Sequence, residues 1–207
     1  DMWYVADETL TVNAVNALAE KGRAWLAGEQ IPPMGDFGGS FQLDFLPPDT
    51  PLTAFVQFQD SCQIDGASYA ISLIRDETPP VVAYARLHGG AATTSTQTVT
   101  LAVQASDAWS NQLQMRTVLC EHSADGQSDQ VCAHPIDDEP YGPYRAVQSV
   151  TFGDTPAHKV ALVQLRDISG NETAVLETSV LYDPIPPENM QIAFAEDDAT
   201  RVAAIEG

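Results

Sequence analysis

The stretch that decides the fold of this chain reads VALVQLRDISGNETAVLETSVLYDPIPP and spans residues 160–187. Its first part, 160–166, alternates apolar and mixed side chains, which is the period of a half-buried β-strand. A polar turn follows at 167–171, where an aspartate can bond backbone N–H groups and Gly-Asn tolerates positive φ. The chain returns as a strand over 175–181, and the prolines within 183–187 end it. These residues predict a hairpin with a proline-marked exit.

The same pattern occurs earlier in the chain. Residues 50–60 (TPLTAFVQFQD) align with residues 155–167 (TPAHKVALVQLRD), and the exit DETPP follows at 76–80. Two copies of one hairpin indicate an internal repeat, and Pro80 and Pro187 are separated by about the length of one small domain. We therefore predict a first module at 1–79, a second module at 80–186 and a tail at 187–207.

The second module shows about seven strand signals separated by turns in roughly 105 residues, a pattern typical of an immunoglobulin-like (Ig-like) sandwich. In the first module, the alanine-rich stretch 9–28 has helix-like spacing, but its similarity to 98–108 favours a strand at 9–16. Residues 20–27 remain open between a strand and a short helix. The predicted fold class is all-β, with two tandem Ig-like β-sandwich modules plus a C-terminal extra strand.

Three motifs of the second module carry a family resemblance: the SDAWSN turn at 106–111, VQLRDISGN at 163–171 and the exit LYDPIPP at 181–187. With them, this module resembles the bacterial Ig-like repeats of large secreted and cell-surface proteins. The resemblance covers about half of the chain well and the first module in part. It implies a tandem β-sandwich that is extracellular or at the cell surface, and it implies no catalysis.

The charge of the chain restricts its partners. Nine basic residues stand against 29 acidic ones, which gives a net charge of −20 with no basic patch. Nucleic acid and anionic membranes are poor partners for such a surface. No apolar run approaches the roughly 18 residues of a membrane span, so no membrane insertion is predicted. The charge favours a role in solubility over the alternative, which is divalent-cation binding by clustered carboxylates.

Catalytic motifs are absent from the sequence. The histidines are scattered and none lies in a HExxH arrangement, nor does a GxSxG elbow or a phosphate loop occur. The four histidines are His88, His122, His134 and His158. We therefore predict that the chain is not an enzyme and that it needs no cofactor, with calcium left as an open possibility.

Possible Ca²⁺ ligands occur in two pairs of turn residues, Asp107 with Asn111 and Asp167 with Asn171, and in the acidic run 137–139. These side chains offer the hard oxygen ligands that Ca²⁺ prefers, but none has EF-hand spacing. The simpler interpretation, which we favour, is that they hold turns through side-chain-to-backbone hydrogen bonds.

Five aromatic residues raise a second possibility, a platform on which a sugar could stack. They are Trp3, Trp25, Trp109, Tyr141 and Tyr144. Singly placed aromatic residues are more often part of the core or its rim, and we favour that interpretation. The platform belongs to our alternative function, a carbohydrate- or protein-binding accessory module of a secreted enzyme.

The three cysteines indicate an oxidising compartment. Cys120 and Cys132 flank a loop that can fold back on itself, and we predict a disulfide between them. Closing this loop stabilises the fold by roughly 3 kcal/mol. Cys62 is left over, either as a buried thiol, which we favour, or as an intermolecular link.

The two ends of the chain are complementary. The second module begins with a strand at 81–87, whereas only eight residues precede Thr9, which leaves no room for that strand in the first module. The tail at 188–207 supplies an unattached first strand. We predict that the tail of one subunit completes the first module of the next and builds a filament. The assembly residues are Met190, Ile192 and Phe194 in the tail, and Trp3 and Val12 in the first module. The alternative is a fragment of a longer array, a spacer whose partners are flanking Ig-like modules.

Overall fold

The computed structural model describes residues 2–4, 9–11, 19–36, 40–43, 46–122 and 130–185. Within these ranges the chain is all-β, and its helical elements are two one-turn 3-10 helices at His88–Gly90 and Ile136–Asp138. The predicted C-terminal strand lies outside the described residues. The same holds for four of the predicted assembly residues, which are Val12, Met190, Ile192 and Phe194.

The described residues of the first module form one large sheet and one strand pair. Strands β1, β7, β6, β3 and β4 lie side by side in that order, and β2 pairs with β5. The pairing of β1 with β7 is parallel, whereas the other pairings are antiparallel. The strands are β1 (Met2–Tyr4), β2 (Thr9–Thr11), β3 (Ala19–Leu26), β4 (Gly35–Asp36), β5 (Ser40–Gln42), β6 (Leu52–Asp60) and β7 (Tyr69–Ile74).

The second module is a sandwich of two sheets. One sheet has the order β14, β10, β8, and the other has the order β12, β11, β15, β16, β9, with β13 also paired to β11. The strands are β8 (Val81–Leu87), β9 (Thr93–Thr94), β10 (Thr98–Ser106), β11 (Gln114–His122), β12 (Val131–Cys132), β13 (Gly142–Pro143), β14 (Val147–Thr151), β15 (Ala157–Arg166) and β16 (Leu176–Tyr182).

The two modules repeat one arrangement. Strand β1 runs parallel to β7, as β9 runs parallel to β16. Strand β2 pairs with β5 with Thr9 opposite Gln42, as β10 pairs with β14 with Thr98 opposite Thr151. The second module also has β8, which pairs with residues 101–106. The corresponding residues of the first module lie outside the described ranges.

Alternation along β15 builds the core of the second module. Ala161, Val163 and Leu165 are fully buried and pack against Leu101 and Val103 of the opposite sheet. Burying one such aliphatic side chain contributes about 2 kcal/mol. A separate core fills the first module, and its buried members are Leu26, Leu43, Leu46, Ala54, Val56 and Leu73. Each module therefore has its own hydrophobic core.

A lysine is part of the inner face of β15. Lys159 is 0% exposed, and its Nζ donates to Oε1 of Glu121 at 2.6 Å, with the ring of Tyr182 at 5.6 Å. A buried ammonium group is tolerated only with such a partner. Gly153 leaves room for it, since a Cβ there would lie 3.0 Å from the Glu121 Oε1.

The disulfide between Cys120 and Cys132 is present. On the outer face of the large sheet, Cys120 packs with Val118 and Val160 in a small apolar cluster. The bond fixes β12 to β11, since Cys120 lies directly opposite Cys132 in their register. It closes a loop that would otherwise be held by a two-residue strand.

The structure decides one question that the sequence left open and corrects one expectation. The stretch left open between strand and helix is a strand, β3, because pairing with β6 along its length overrides its helix-like spacing. The predicted burial of Cys62 is wrong, since this free cysteine is exposed. It lies in the turn after β6, where Oδ1 of Asp60 accepts the N–H groups of Cys62 and Ile64. That turn projects its side chains into solvent.

Replacing both disulfide cysteines (Cys120→Ala with Cys132→Ala) is expected to lower the free energy of unfolding by about 3 kcal/mol, because the unfolded chain regains the entropy of a closed loop. Urea unfolding measures this loss. Cys62→Ala is the matched control and should leave stability within about 0.5 kcal/mol of the parent, because Cys62 is exposed. An equal loss in the control would contradict the assignment.

Candidate metal centre

Three aspartates meet where the first module passes into the second. Asp76 follows β7, Asp107 follows β10 and Asp167 follows β15, and one carboxylate oxygen of each lies within 4.8 Å of the other two. Asp76 belongs to the segment that joins the modules, whereas the other two belong to loops of the second module. The cluster therefore links this joining segment to two loops.

The two loop aspartates are held by their own turns. Oδ1 of Asp107 accepts the backbone N–H groups of Trp109 at 2.8 Å and Ser110 at 2.7 Å. Oδ1 of Asp167 accepts the N–H of Asn171 at 2.9 Å, and its Oδ2 accepts Nδ2 of Asn171 at 2.9 Å. These are the turn-forming hydrogen bonds that the sequence predicts.

Asp76 connects the joining segment to the loop after β15. Its main-chain oxygen accepts Nδ2 of Asn171 at 2.9 Å, and its Oδ2 lies 3.4 Å from the hydroxyl of Ser169. Its Oδ1 accepts the N–H of Thr78 at 3.1 Å. Asp76 is only 5% exposed, so its carboxylate is shielded from water. One asparagine, Asn171, thus bonds both Asp76 and Asp167.

The electrostatics of the cluster are unfavourable without a cation. Burial raises the pKa of Asp76, the N–H of Thr78 lowers it, and the nearby Asp167, Asp107 and Asp49 raise it further. Among the described residues, no lysine, arginine or histidine forms an ion pair with any member of the cluster. Like charges that share a poorly solvated site disfavour ionisation. The cluster therefore favours any bound positive charge.

One oxygen of the cluster has no protein partner. Oδ2 of Asp107 is buried, and no hydrogen-bond donor reaches it within the part of the chain that the structure describes. A buried polar atom left without a partner costs about 1–3 kcal/mol, and more when it is charged. The missing partner of this oxygen therefore distinguishes the cluster from a set of aspartates that only hold turns.

The donor set fits a hard divalent cation. Ca²⁺ binds oxygen ligands at about 2.3–2.6 Å, so two ligands on opposite sides of one ion are about 4.8 Å apart. The three carboxylates lie within that span. They offer oxygen without nitrogen or sulfur, which is the preference of Ca²⁺ rather than Zn²⁺. Ca²⁺ takes six to eight ligands, so water or further oxygens would complete the shell.

The structure brings some of the predicted calcium ligands together and leaves others outside the cluster. Asp107 and Asp167 are brought together, and Asn171 orients Asp167. Asn111 is exposed, and none of the hydrogen bonds that order the cluster involves it. Sequence reasoning missed Asp76, although the repeat offered a signal, because Asp76 precedes Pro79-Pro80 as Asp183 precedes Pro186-Pro187. The acidic run at 137–139 lies elsewhere, where Asp137 pairs with Arg116 at 2.7 Å.

Three of the aromatic residues weighed as a sugar platform have protein partners. The guanidinium groups of Arg116 and Arg166 lie 4.7 and 4.2 Å from the centre of the Tyr141 ring. The hydroxyl of Tyr144 donates to the main-chain oxygen of Val103 at 2.7 Å. Trp25 stacks on Phe55 with ring centroids 5.5 Å apart. These contacts place the three rings within the modules' own packing.

The raised pKa of Asp76 predicts a pH effect on protein stripped of divalent cations. The folded state keeps this proton to higher pH than the unfolded state, so the free energy of unfolding falls as pH rises through that range. We expect the melting temperature in chelator to rise as pH falls from neutral toward the ordinary carboxyl range near about 4. Asp76→Asn should lose part of this rise, whereas the exposed control Asp154→Asn should keep it. Superimposable profiles for Asp76→Asn and the parent would refute the assignment.

No protein-family model and no curated protein sequence matches the chain. Solved structures match it at low identity. The fibronectin(III)-like modules of Clostridium thermocellum CbhA are 8% identical over 88% of each chain, with a TM-score of 0.46. The D00-D0 domain of intimin is 11% identical over 88% of this chain and 96% of that one, with a TM-score of 0.28.

The FN1–FN3 domains of chicken CNTN1 match with a TM-score of 0.50 and 8% identity, over 87% of this chain and 62% of that chain. Within its described residues, the chain has no helix long and apolar enough to cross a membrane. The likeness to CNTN1 concerns the fold alone. It shows an all-β chain of tandem sandwich modules of the fibronectin and immunoglobulin type.

Proposed function

We propose that this chain is a structural segment of an extracellular or cell-surface protein, a spacer whose two modules are held together by a divalent cation, Ca²⁺. The observation that carries the proposal is the cluster of Asp76, Asp107 and Asp167, with its buried and unpartnered Oδ2 of Asp107. A cation bound there would tie the joining segment to the second module and limit the angles between modules.

The disulfide supports an extracellular location. A bond such as Cys120–Cys132 forms and persists in oxidising compartments. Free Ca²⁺ is abundant outside cells, and weak modular sites with a Kd on the order of 10⁻⁴ to 10⁻³ M suit that setting. The net charge of −20 also draws cations to the surface. Location and ligand are therefore mutually consistent.

The role proposed for the chain is structural rather than catalytic. The candidate centre lies at the junction, where Oδ1 of Asp107 and Oδ1 of Asp167 already order their turns, so its carboxylates hold loops in place and offer a cation site. The alternative of carbohydrate binding has no specific support in the described residues, since Trp25, Tyr141 and Tyr144 are engaged in packing. We therefore favour the spacer.

Calcium binding tests this function. We expect Ca²⁺ to raise the melting temperature of the full chain, because it binds the folded state alone. Asp107→Asn should weaken Ca²⁺ binding at least about tenfold by calorimetry, because a charged ligand is lost. The same change should leave the cation-free protein as stable as the parent or more stable, because one repelling charge is gone.

Asp154→Asn is the matched control for that experiment. It removes one exposed carboxylate that precedes β15, at the opposite end of that strand from Asp167, and should bind Ca²⁺ like the parent. Absence of Ca²⁺ binding in the parent would overturn the cation-held junction. Equal binding by Asp107→Asn and the parent would place the ion elsewhere.

A second candidate function is head-to-tail assembly by strand donation. Its specific support is the position of β1, which pairs parallel to β7 with Trp3 opposite Leu73. That is the place of β9 in the second module and not the place of β8. The described part of the first module therefore holds no counterpart of β8, which residues 188–207 of another copy would supply.

Electron microscopy of the full chain and of a chain ending at residue 187 tests donation. We expect filaments from the full chain and none from the shortened one. Ile192→Asp should also abolish them, because period-2 alternation puts Ile192 on the apolar face of the donated strand. Gln191→Asp, on the opposite face, is the matched control. Filaments from the shortened chain would contradict strand donation by the tail. The absence of filaments from the full chain would also contradict it and would leave the spacer as the proposed function.

A further inference from the structure

Two histidines lie directly opposite each other at one end of the large sheet of the second module. His122 is the last residue of β11 and pairs in register with His158 of β15. Side chains directly opposite on antiparallel strands project from the same face, with Cβ atoms about 4.5–5.5 Å apart. The two imidazoles therefore share one face of the sheet.

The neighbouring strand points to a third polar side chain near this pair. The register of β11 with β12 places Cys120 opposite Cys132 and Glu121 opposite Val131, and the same register continued one residue beyond β12 would put Gln130 opposite His122. Nε2 of Gln130 is buried and has no hydrogen-bond partner among the described residues. A buried amide group without a partner calls for an explanation, and a shared ligand supplies one. Rotation of the amide presents its oxygen instead of its nitrogen.

No side chain among the described residues is bonded to the histidine pair. Both rings are half-buried, and neither forms a side-chain hydrogen bond or an ion pair with another described residue. His134 differs, because its Nε2 lies 3.1 Å from Oε2 of Glu139. The backbone beneath the pair is held by the β11–β15 ladder, and the disulfide at Cys120 lies two residues away. Such a fixed base reduces the entropy lost on binding.

Neutral imidazole is a ligand for borderline metal ions such as Zn²⁺, Ni²⁺ and Cu²⁺. Zn–N bonds of about 2.0–2.1 Å in a tetrahedral site put two nitrogens about 3.3 Å apart. Two rings carried by Cβ atoms about 5 Å apart can reach that geometry. The pair thus fits a softer ion than the carboxylate centre does.

We propose that His122 and His158, with the Gln130 amide beside them, form a site for a divalent transition-metal ion of the Zn²⁺ class. This site is separate from the junction, since His158 and Asp167 lie near opposite ends of β15, about 30 Å apart for an extended strand. It does not depend on the proposed spacer function. Occupation would crosslink the central strands β11 and β15 at the end where β15 begins.

Calorimetric titration of the untagged full chain with Zn²⁺ in saturating Ca²⁺ tests the site. We expect one Zn²⁺ per chain, with His122→Asn and His158→Asn each weakening binding at least about tenfold, because a single imidazole cannot chelate. His88→Asn, which removes an exposed histidine outside the pair, is the matched control and should bind like the parent. Far-ultraviolet circular dichroism confirms that each variant is folded.

His122 is half-buried at the end of its strand, so His122→Asn alone keeps the test decisive if His158→Asn fails to fold. No Zn²⁺ binding by the parent would overturn the proposal. Undiminished binding by His122→Asn would overturn it as well. Loss of Zn²⁺ binding in Asp107→Asn together with its retention in His122→Asn would assign the ion to the junction carboxylates instead.

Discussion

The double pairing of β15 is the constraint on which the second module depends. This strand bonds to β11 on one side and to β16 on the other, while its inner face fills the core. A slip of one residue would turn that face toward solvent, so burial fixes the register. The register then fixes the positions of both ends of the strand. His158 lies near its start, and Asp167 directly follows its last residue. Both candidate sites are thus positioned by the packing of apolar residues that belong to neither.

The junction shows how one aspartate can serve folding and binding together. Each loop carboxylate uses one oxygen to order its turn, as Asp107 does with the N–H groups of Trp109 and Ser110. The second oxygen of Asp107 remains buried and unmatched. Holding a turn and binding a cation are therefore compatible uses of the same side chain, and the two interpretations of the sequence need not compete. The cost of gathering like charges is what a bound cation would remove.

Features set by short stretches of sequence could be predicted, whereas features set by contacts between distant stretches could not. Alternation predicted β10, β15 and β16, and spacing predicted the bond between Cys120 and Cys132, because these signals lie within short stretches. Asp76 escaped notice because its role depends on how the joining segment approaches two distant loops.

The opposition of His122 and His158 depends on strand register across 36 residues of sequence, which no local pattern reveals. Cys62 was misjudged because thiols are usually buried, whereas the turn ordered by Asp60 exposes it. The predictions for Val12 and the tail fall outside the described residues.

The parallel pairing of β9 with β16, and of β1 with β7, has a mechanical consequence. Parallel neighbours run in the same direction, so tension along the chain pulls the leading end of one strand against the trailing end of the other. The load then acts along the strands and stretches their hydrogen bonds together, in shear, instead of opening them one at a time. A module built this way resists extension better than one whose paired strands peel apart.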